Sequence, residues 1–144
     1  RVDEAVLERL LGDPYFSAPP PKSLDRNAFD SAALAALSDA DGAATLVAFT
    51  AQTVALGLDL CPEKARRLLV TGGGRHNPSL VAALAERTKL TVEPVETIGW
   101  RGDALEAEAF AYLAVRSLSG AVLSLPETTG VRQPQCGGVL HRAG

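Results

Sequence analysis

The chain has 144 residues, of which 47% are hydrophobic, and 14 basic and 17 acidic residues give it a formal net charge of −3. This length is typical of one globular domain with a real core. The charges form neither a basic stripe nor an acidic tail, so we expect no nucleic acid partner. Because the sequence contains no methionine, we interpret it as a piece of a longer protein.

The two cysteines, Cys61 and Cys136, lie far apart in the sequence. They lack the short spacings of zinc sites and redox pairs, and two are too few for a secreted disulfide scaffold. The longest apolar stretches are interrupted by polar residues before they reach membrane-spanning length. We therefore expect a cytoplasmic protein with no membrane partner.

The first half of the sequence predicts helices joined by loops. Helical spacing of apolar residues predicts a short helix over residues 2–11, and the prolines of residues 14–23 favour an extended loop. A second helix is predicted over residues 27–37. After a break at 39–42, residues 44–58 predict a long and largely buried helix, because apolar residues cover more than one of its faces.

The second half predicts strands that alternate with helices. Strands are predicted at 66–70, 90–95 and 121–125, and helices at 79–87 and 103–118. This order is typical of a mostly parallel sheet flanked by helices. The tail from residue 126 to residue 144 is rich in Gly, Pro, Thr and Gln, and it predicts a loop with one short strand near Val139.

The sharpest motif is LLVTGGGRHNPSL, residues 68–80. Gly72, Gly73 and Gly74 allow positive φ and let a ligand approach backbone N–H groups that no β-carbon shields. Asn77 is placed to cap the following helix, and Pro78 suits the first helical position. The free amides of such a helix start favour an anion, so the motif predicts a nucleotide site.

Other interpretations of this turn stay open. A strand-to-helix turn can use glycine for packing alone, and a dinucleotide site shares its general form. The sequence is not a P-loop because no Lys-Ser/Thr follows the glycines, and a GxGxxG spacing would end on Asn77 instead of glycine.

The second motif is GWRGDALEAEAFAYLA, residues 99–114. On a helix, Asp103, Glu106 and Phe110 fall on one side, and Glu106 is the more inward candidate for a site. The alternative is that Asp103 caps the helix and the glutamates are solvated, since acids are favoured in a first turn. In the preceding loop, Trp100 could cover a ligand or anchor the loop, and anchoring is the interpretation we favour.

Weaker signals lie elsewhere. LPETTGVRQP, residues 125–134, places hydroxyls and a glycine after a predicted strand, at the edge where open α/β sheets bind ligands. His76 and His141 have no partner at metal-ligand spacing, so no metal site is predicted from this chain.

Several motifs occur in one order along almost the whole chain. They are DPYF at 13–16, PPKS at 20–23 followed by Arg26 and Phe29, ATL at 44–46, TGGGRHNPSL, GDALEAEAFAYLA, LPETTG and a closing CGG. In this order they resemble the anhydro-N-acetylmuramic acid kinase family of the sugar kinase, actin and Hsp70 superfamily. The resemblance implies an α/β, ribonuclease H-like (actin-like ATPase) fold. Residues 1–144 would be the C-terminal part of a two-domain kinase, including its adenosine-binding region.

The resemblance also implies an activity. This is transfer of a phosphoryl group from ATP, with Mg²⁺, to the amino sugar 1,6-anhydro-N-acetylmuramic acid in peptidoglycan recycling, with hydrolytic ring opening to N-acetylmuramic acid 6-phosphate. Gly72, Gly73 and Gly74 match the adenosine-contacting motif, and Asn77 matches the asparagine that follows it. Glu106 matches a glutamate expected to face the sugar. A homodimer is compatible with the resemblance.

Two family motifs do not occur in this sequence: the GTSxDG phosphate motif and the FDxGPxN stretch with the aspartate base. We expect both upstream of Arg1, so no catalytic residue is assigned here and the chain alone is expected to be inactive. Two alternatives stay open. One is a non-catalytic nucleotide-binding or interaction domain with the same fold, and the other is a dinucleotide-binding piece of an oxidoreductase that uses Glu93 or Glu96 on the ribose.

Overall fold

Helix α1, Glu4–Leu11, opens the chain. It begins where the side chain of Asp3 accepts a hydrogen bond from the Val6 amide at 2.9 Å, which satisfies one of the free donors of a helix start. The computed structural model describes residues 1–28 and 31–142. Leu7 and Leu10 of α1 are buried, as the helical spacing predicted.

Short 3₁₀ turns replace the helix that was predicted over residues 27–37. Turns Arg26–Ala28 and Ser31–Leu34 flank Phe29 and Asp30, which lie outside the described residues. Ala33 is buried, whereas most of its described neighbours are not. Alanine-rich segments of this length bury too little apolar surface to hold an isolated helix.

Helix α2, Asp39–Asp59, is the longest element of the described chain. Ser38 caps it by accepting a hydrogen bond from the Asp41 amide at 3.2 Å, and two aspartates in its first turn suit the helix dipole. The predicted break at residues 39–42 is therefore wrong, because the cap and the acids outweigh the cost of Gly42.

The principal core lies between α1 and α2. Its buried members are Leu7, Leu10, Ala33, Ala48 and Phe49. Phe16, from a 3₁₀ turn over Pro14–Ser17, meets the Phe49 ring edge to face with 5.7 Å between centroids. Aromatic pairs favour this geometry.

The prediction that the long helix is largely buried is wrong. The buried residues of α2 are Thr45, Ala48, Phe49 and Ala51, so the elements of the described chain that pack on it cover one face. Its length and composition alone would allow α2 to cross a membrane. A core helix meets the same criterion, and α2 does pack against α1 and α3.

A small parallel sheet follows. Strands β1, Arg67–Val70, and β2, Thr91–Pro94, pair in parallel with Leu68 opposite Val92. Helix α3, Pro78–Thr88, connects them and packs against α2. The structure is thus mixed α/β, and the predicted strand, helix and strand order of this region is confirmed.

The third predicted strand, over residues 121–125, is wrong. The backbone amides of Leu123 and Ser124 both donate to the Gln135 carbonyl, which leaves one isolated antiparallel bridge between residues 124 and 135. Because this segment pairs with the tail, it adds nothing to the parallel sheet. No strand forms near Val139 in the described segment 31–142.

Helix α4, Leu105–Leu118, precedes this bridge, and the described part of the chain buries none of its side chains. Phe110 and Val115 are each 65% exposed and Leu118 is 66% exposed. A four-residue helix, α5, Pro126–Thr129, follows. The described chain therefore leaves the apolar residues of α4 without a core.

Candidate functional site

The candidate site lies where the two parallel strands end. A 3₁₀ turn over Gly73–His76 follows β1, and another over Val95–Ile98 follows β2. Carboxyl ends of neighbouring parallel strands share one edge, and open α/β sheets bind ligands there. The loop that leads into α4, residues 99–104 and here called the α4 loop, reaches the same edge because both Thr71 and Gly72 donate hydrogen bonds to the Gly102 carbonyl, at 3.0 and 3.2 Å.

A different physical feature accounts for glycine at each of the three positions of the turn. Gly72 has φ +70° and ψ −178°, a conformation that is essentially restricted to glycine. A β-carbon on Gly74 would lie 3.3 Å from the Leu80 side chain, whereas one on Gly73 would meet no atom of residues 1–28 and 31–142 within 4 Å. Backbone conformation thus explains Gly72 and packing explains Gly74. Gly73 is left open to a ligand.

Asn77 caps α3, as predicted. Its side-chain oxygen accepts hydrogen bonds from the amides of Ser79 and Leu80 at 3.0 and 3.2 Å, and Pro78 takes the first helical position. The side chain of Asn77 is exposed, so its amide nitrogen remains available to a ligand.

A charged cluster that the sequence did not predict joins the segments at this edge by hydrogen bonds and ion pairs. Arg75 is only 4% exposed in its side chain, and its guanidinium contacts Glu96 at 2.8 Å and Asp103 at 2.8 Å. The same guanidinium donates to the Gly72 carbonyl at 2.8 Å. We call Arg75, Glu96, Gly102 and Asp103 the Arg75 cluster.

The electrostatics of the cluster stabilise the charged forms of its members. The hydrogen bond from Arg75 holds the pKa of the Asp103 carboxyl below its ordinary value. The pKa of Glu96 is also lowered, first by a hydrogen bond from its own backbone amide and then by Arg75. The hydrogen bond to Asp103 raises the pKa of Arg75 above its ordinary range. All three groups are therefore ionised at neutral pH.

Gly102 completes the cluster from the backbone side. It is buried, and its amide donates to the Glu96 carboxylate at 3.3 Å. A β-carbon on Gly102 would lie 2.6 Å from both the Arg75 Nε and the Glu96 Oε1 atoms. The arginine side chain thus takes the space that any larger residue would need.

Glu106 stands in the first turn of α4 with an exposed side chain. The interpretation of Asp103 as the helix cap is wrong, because Ala104 takes that position and Asp103 pairs with Arg75 instead. This pairing brings the α4 loop to the edge that carries the glycines, and Glu106 follows in the first turn of the helix.

The two remaining aromatic and imidazole candidates add little to the site. Trp100 is 53% exposed, so burial of its ring does not anchor the α4 loop. His76 lies 3.8 Å from the Asp103 carboxylate and is two-thirds exposed. Within residues 1–28 and 31–142 no three His, Cys, Asp or Glu side chains converge to hold a metal ion.

The segment 125–134 does not belong to this edge. It was predicted to follow a strand of the sheet, but it follows the isolated bridge and forms α5. A β-carbon on Gly130 would lie 3.2 Å from Pro21, so this segment faces the proline-rich loop.

Comparisons with known proteins agree with the motifs. A family model described as anhydro-N-acetylmuramic acid kinase matches residues 1–143. Curated relatives that carry this name include proteins from Rhizorhabdus wittichii, 60% identical over 98% of the chain, and from Phenylobacterium zucineum, 55% identical over 96% of it. The chain spans 39% and 37% of the length of these two proteins, so it is a partial representative. The chain belongs to the anhydro-N-acetylmuramic acid kinase family.

Proposed function

We propose that the full-length protein to which this chain belongs transfers the γ-phosphoryl group of ATP to 1,6-anhydro-N-acetylmuramic acid. Water adds to C1 of the sugar while the bond between C1 and O6 breaks, and O6 receives the phosphoryl group. The products are ADP and N-acetylmuramic acid 6-phosphate. This reaction would return a cell-wall sugar to metabolism in the cytoplasm. For the full-length protein we propose a ribonuclease H-like fold.

The observation that carries the proposal, besides family membership, is the open backbone at Gly73. Among the described residues, no atom lies within 4 Å of the position that a β-carbon would take there, so packing within this part of the chain does not account for the glycine. A flat nucleoside can approach such a backbone to van der Waals distance. We assign adenosine contact to Gly72, Gly73 and Gly74.

Two side chains complete the assignment. The amide nitrogen of Asn77 is free to donate to the nucleotide while its oxygen caps α3. The exposed carboxylate of Glu106 can accept hydrogen bonds from sugar hydroxyls, and such charge-assisted bonds are short and strong. We assign Glu106 to the sugar side of the site.

Among the described residues no three His, Cys, Asp or Glu side chains converge to hold a metal ion. Kinase sites hold Mg²⁺ through one or two carboxylates and the substrate phosphates, and we assign no Mg²⁺ ligand to this chain. Phosphoryl transfer depends on nucleotide, metal and acceptor held together, and the remainder of the full-length protein would supply the other contacts.

The test is to incubate the full-length protein with ATP, Mg²⁺ and the anhydro-sugar in ¹⁸O-labelled water. We expect equimolar ADP and sugar 6-phosphate, with one ¹⁸O at C1 and none in the phosphate. N-Acetylmuramic acid, which lacks the anhydro bond, serves as the control acceptor. Tight ATP binding without any phosphorylated sugar would favour the alternative of a non-catalytic nucleotide-binding domain.

A further inference from the structure

We propose that Arg75 is a positioning residue that holds the glycine turn and the start of α4 as one rigid unit. The inference deepens the proposed function and rests on it, since the glycine turn is the nucleotide side and Glu106 the sugar side. If the two are held by one side chain, the distance between nucleotide and sugar is set from inside this chain.

The first step of the argument is connectivity. The guanidinium of Arg75 reaches three segments: its own turn through the Gly72 carbonyl, the segment after β2 through Glu96, and the α4 loop through Asp103. These partners lie 3, 21 and 28 residues away in the sequence. The cluster therefore ties together segments that no regular secondary structure joins.

The second step is burial. The Arg75 side chain is 4% exposed although its partners Glu96 and Asp103 are 44% and 79% exposed, whereas Arg67, which pairs with Glu93 across the sheet at 3.4 Å, is itself 51% exposed. Exposed ion pairs contribute little and fluctuate, while a buried cation with several acceptors is costly to displace. Of these two arginines, Arg75 is the one that can fix a geometry.

The third step is the shape of the group. A guanidinium offers several donors in one plane, and here Nη1 serves both Gly72 and Asp103 while Nε serves Glu96. A lysine ammonium keeps the charge but cannot span these acceptors in the same plane. Arginine is thus required for the arrangement and not only for its charge.

Gly102 provides an independent way to disturb the same cluster. The atoms that its β-carbon would meet at 2.6 to 2.8 Å are the ends of the Arg75 and Glu96 side chains. Because both side chains are flexible at their ends, Gly102→Ala can fold by displacing them. This variant keeps the guanidinium but removes it from its place.

The experiment uses the full-length enzyme and compares Arg75→Gln with Arg67→Gln. Arg67 is the matched control because it forms an Arg–Glu pair at the amino end of β1, away from the glycine turn. We expect Arg75→Gln to raise KM for both ATP and the anhydro-sugar by roughly tenfold, since small misplacements of reacting groups have effects of this size or larger. Arg67→Gln should leave both KM values within about twofold, as expected for an exposed pair.

A merely structural role would give a different pattern. Loss of folded enzyme lowers the apparent kcat and leaves KM unchanged, so unchanged KM values in soluble Arg75→Gln would overturn the proposal. Arg75→Lys should recover less than half of the lost kcat/KM, and full recovery would also overturn it. If Arg75→Gln does not fold, Gly102→Ala takes its place and the same KM criteria apply.

Hydrogen exchange separates this inference from the proposed function. In wild type, the Gly72 amide is bonded to the Gly102 carbonyl and the Gly102 amide to Glu96. In Arg75→Gln, peptides over residues 71–77 and 99–104 should both exchange about tenfold faster, because local opening exposes their amides, while Arg67→Gln should change neither. If wild type shows no turnover, the kinase function is refuted but the role of Arg75 is not. If exchange is unchanged in both peptides of Arg75→Gln, the role of Arg75 is refuted but the kinase function is not.

Discussion

Replacing Gly73 by valine tests whether the glycine turn faces a nucleotide or only completes a fold. A β-carbon at this position meets no atom of the chain within 4 Å, so the substitution itself forces no clash within the described residues. An exposed substitution of this kind usually changes the free energy of unfolding by no more than about 0.5 kcal/mol. The fold of Gly73→Val should therefore be close to that of wild type.

The effect on nucleotide affinity should be much larger. A ligand in van der Waals contact would lie about 3.5 to 4.0 Å from the Gly73 backbone. Valine carbons reach roughly 2.5 Å beyond Cα, given carbon–carbon bonds of about 1.5 Å, so they would occupy the space of that ligand. We expect the affinity of the full-length protein for ATP to fall at least about tenfold, which corresponds to about 1.4 kcal/mol.

Calorimetric titration of ATP, together with thermal unfolding, measures both quantities. Gly42→Val is the matched control, because a β-carbon on Gly42 also meets no described atom within 4 Å and this residue lies in α2. Gly72→Ala should instead lower the stability of the fold more than the affinity for ATP. At the Gly72 φ of +70° a side chain costs about 1 to 3 kcal/mol of stability. An intact Gly73→Val protein with wild-type ATP affinity would refute the reasoning.

Four further outcomes are expected. Glu106→Ala in the full-length enzyme should lower kcat/KM for the anhydro-sugar at least about tenfold, because one charge-assisted hydrogen bond to the sugar is lost. ATP affinity, measured by calorimetry, should not change. Activity equal to that of wild type would show that this exposed side chain contacts only solvent. Phe49→Ala should cost about 3 to 5 kcal/mol in denaturant unfolding, because the ring is 8% exposed, and Phe49→Leu should cost less. Asp103→Asn should lower the unfolding temperature at neutral pH. The pKa of the Asp103 carboxyl is lowered in the folded state. Its contribution to stability is therefore present above the ordinary pKa of 3.8 and is lost as the pH falls through the folded pKa. The unfolding temperatures of wild type and Asp103→Asn should thus converge in acid. Residues 1–144 alone should show no kinase turnover and should self-associate in sedimentation, because α4 exposes apolar side chains; sustained turnover by a monomer would contradict this.

Local chemistry made the region from β1 to β2 predictable. A run of apolar residues, three glycines, an asparagine followed by proline and a helical repeat each specify their own conformation within a few residues. The cap by Asn77 and the parallel pairing of the strands could both be predicted for that reason. The start of α2 carries the same kind of signal in Ser38 and its two acids, and these outweigh the cost of Gly42 in the helix.

The Arg75 cluster could not be predicted, because the sequence places Arg75 in the glycine motif but does not show which acidic side chains it meets. Its partners stand 21 and 28 residues away, and only the parallel pairing of β1 with β2 brings them to one edge. The strand predicted over residues 121–125 failed for a related reason: a strand depends on a partner, and the partner of this segment is Gln135 in the tail.

The way in which α4 is held gives the cluster its importance. A helix normally takes its orientation from an apolar face packed in a core, but within residues 1–28 and 31–142 no side chain of α4 is buried. At its start the helix is held by the bond between Arg75 and Asp103, and at its end by Arg116, which donates to the Val122 carbonyl. The position of Glu106 relative to the glycine turn therefore depends, within this chain, on polar contacts: the bonds of Thr71 and Gly72 to the Gly102 carbonyl, which Arg75→Gln leaves in place, and the contacts of Arg75, which it removes. For this reason Arg75→Gln and Gly102→Ala, which disturb one cluster from two sides, should give the same kinetic change, although one removes a charge and the other adds a methyl group.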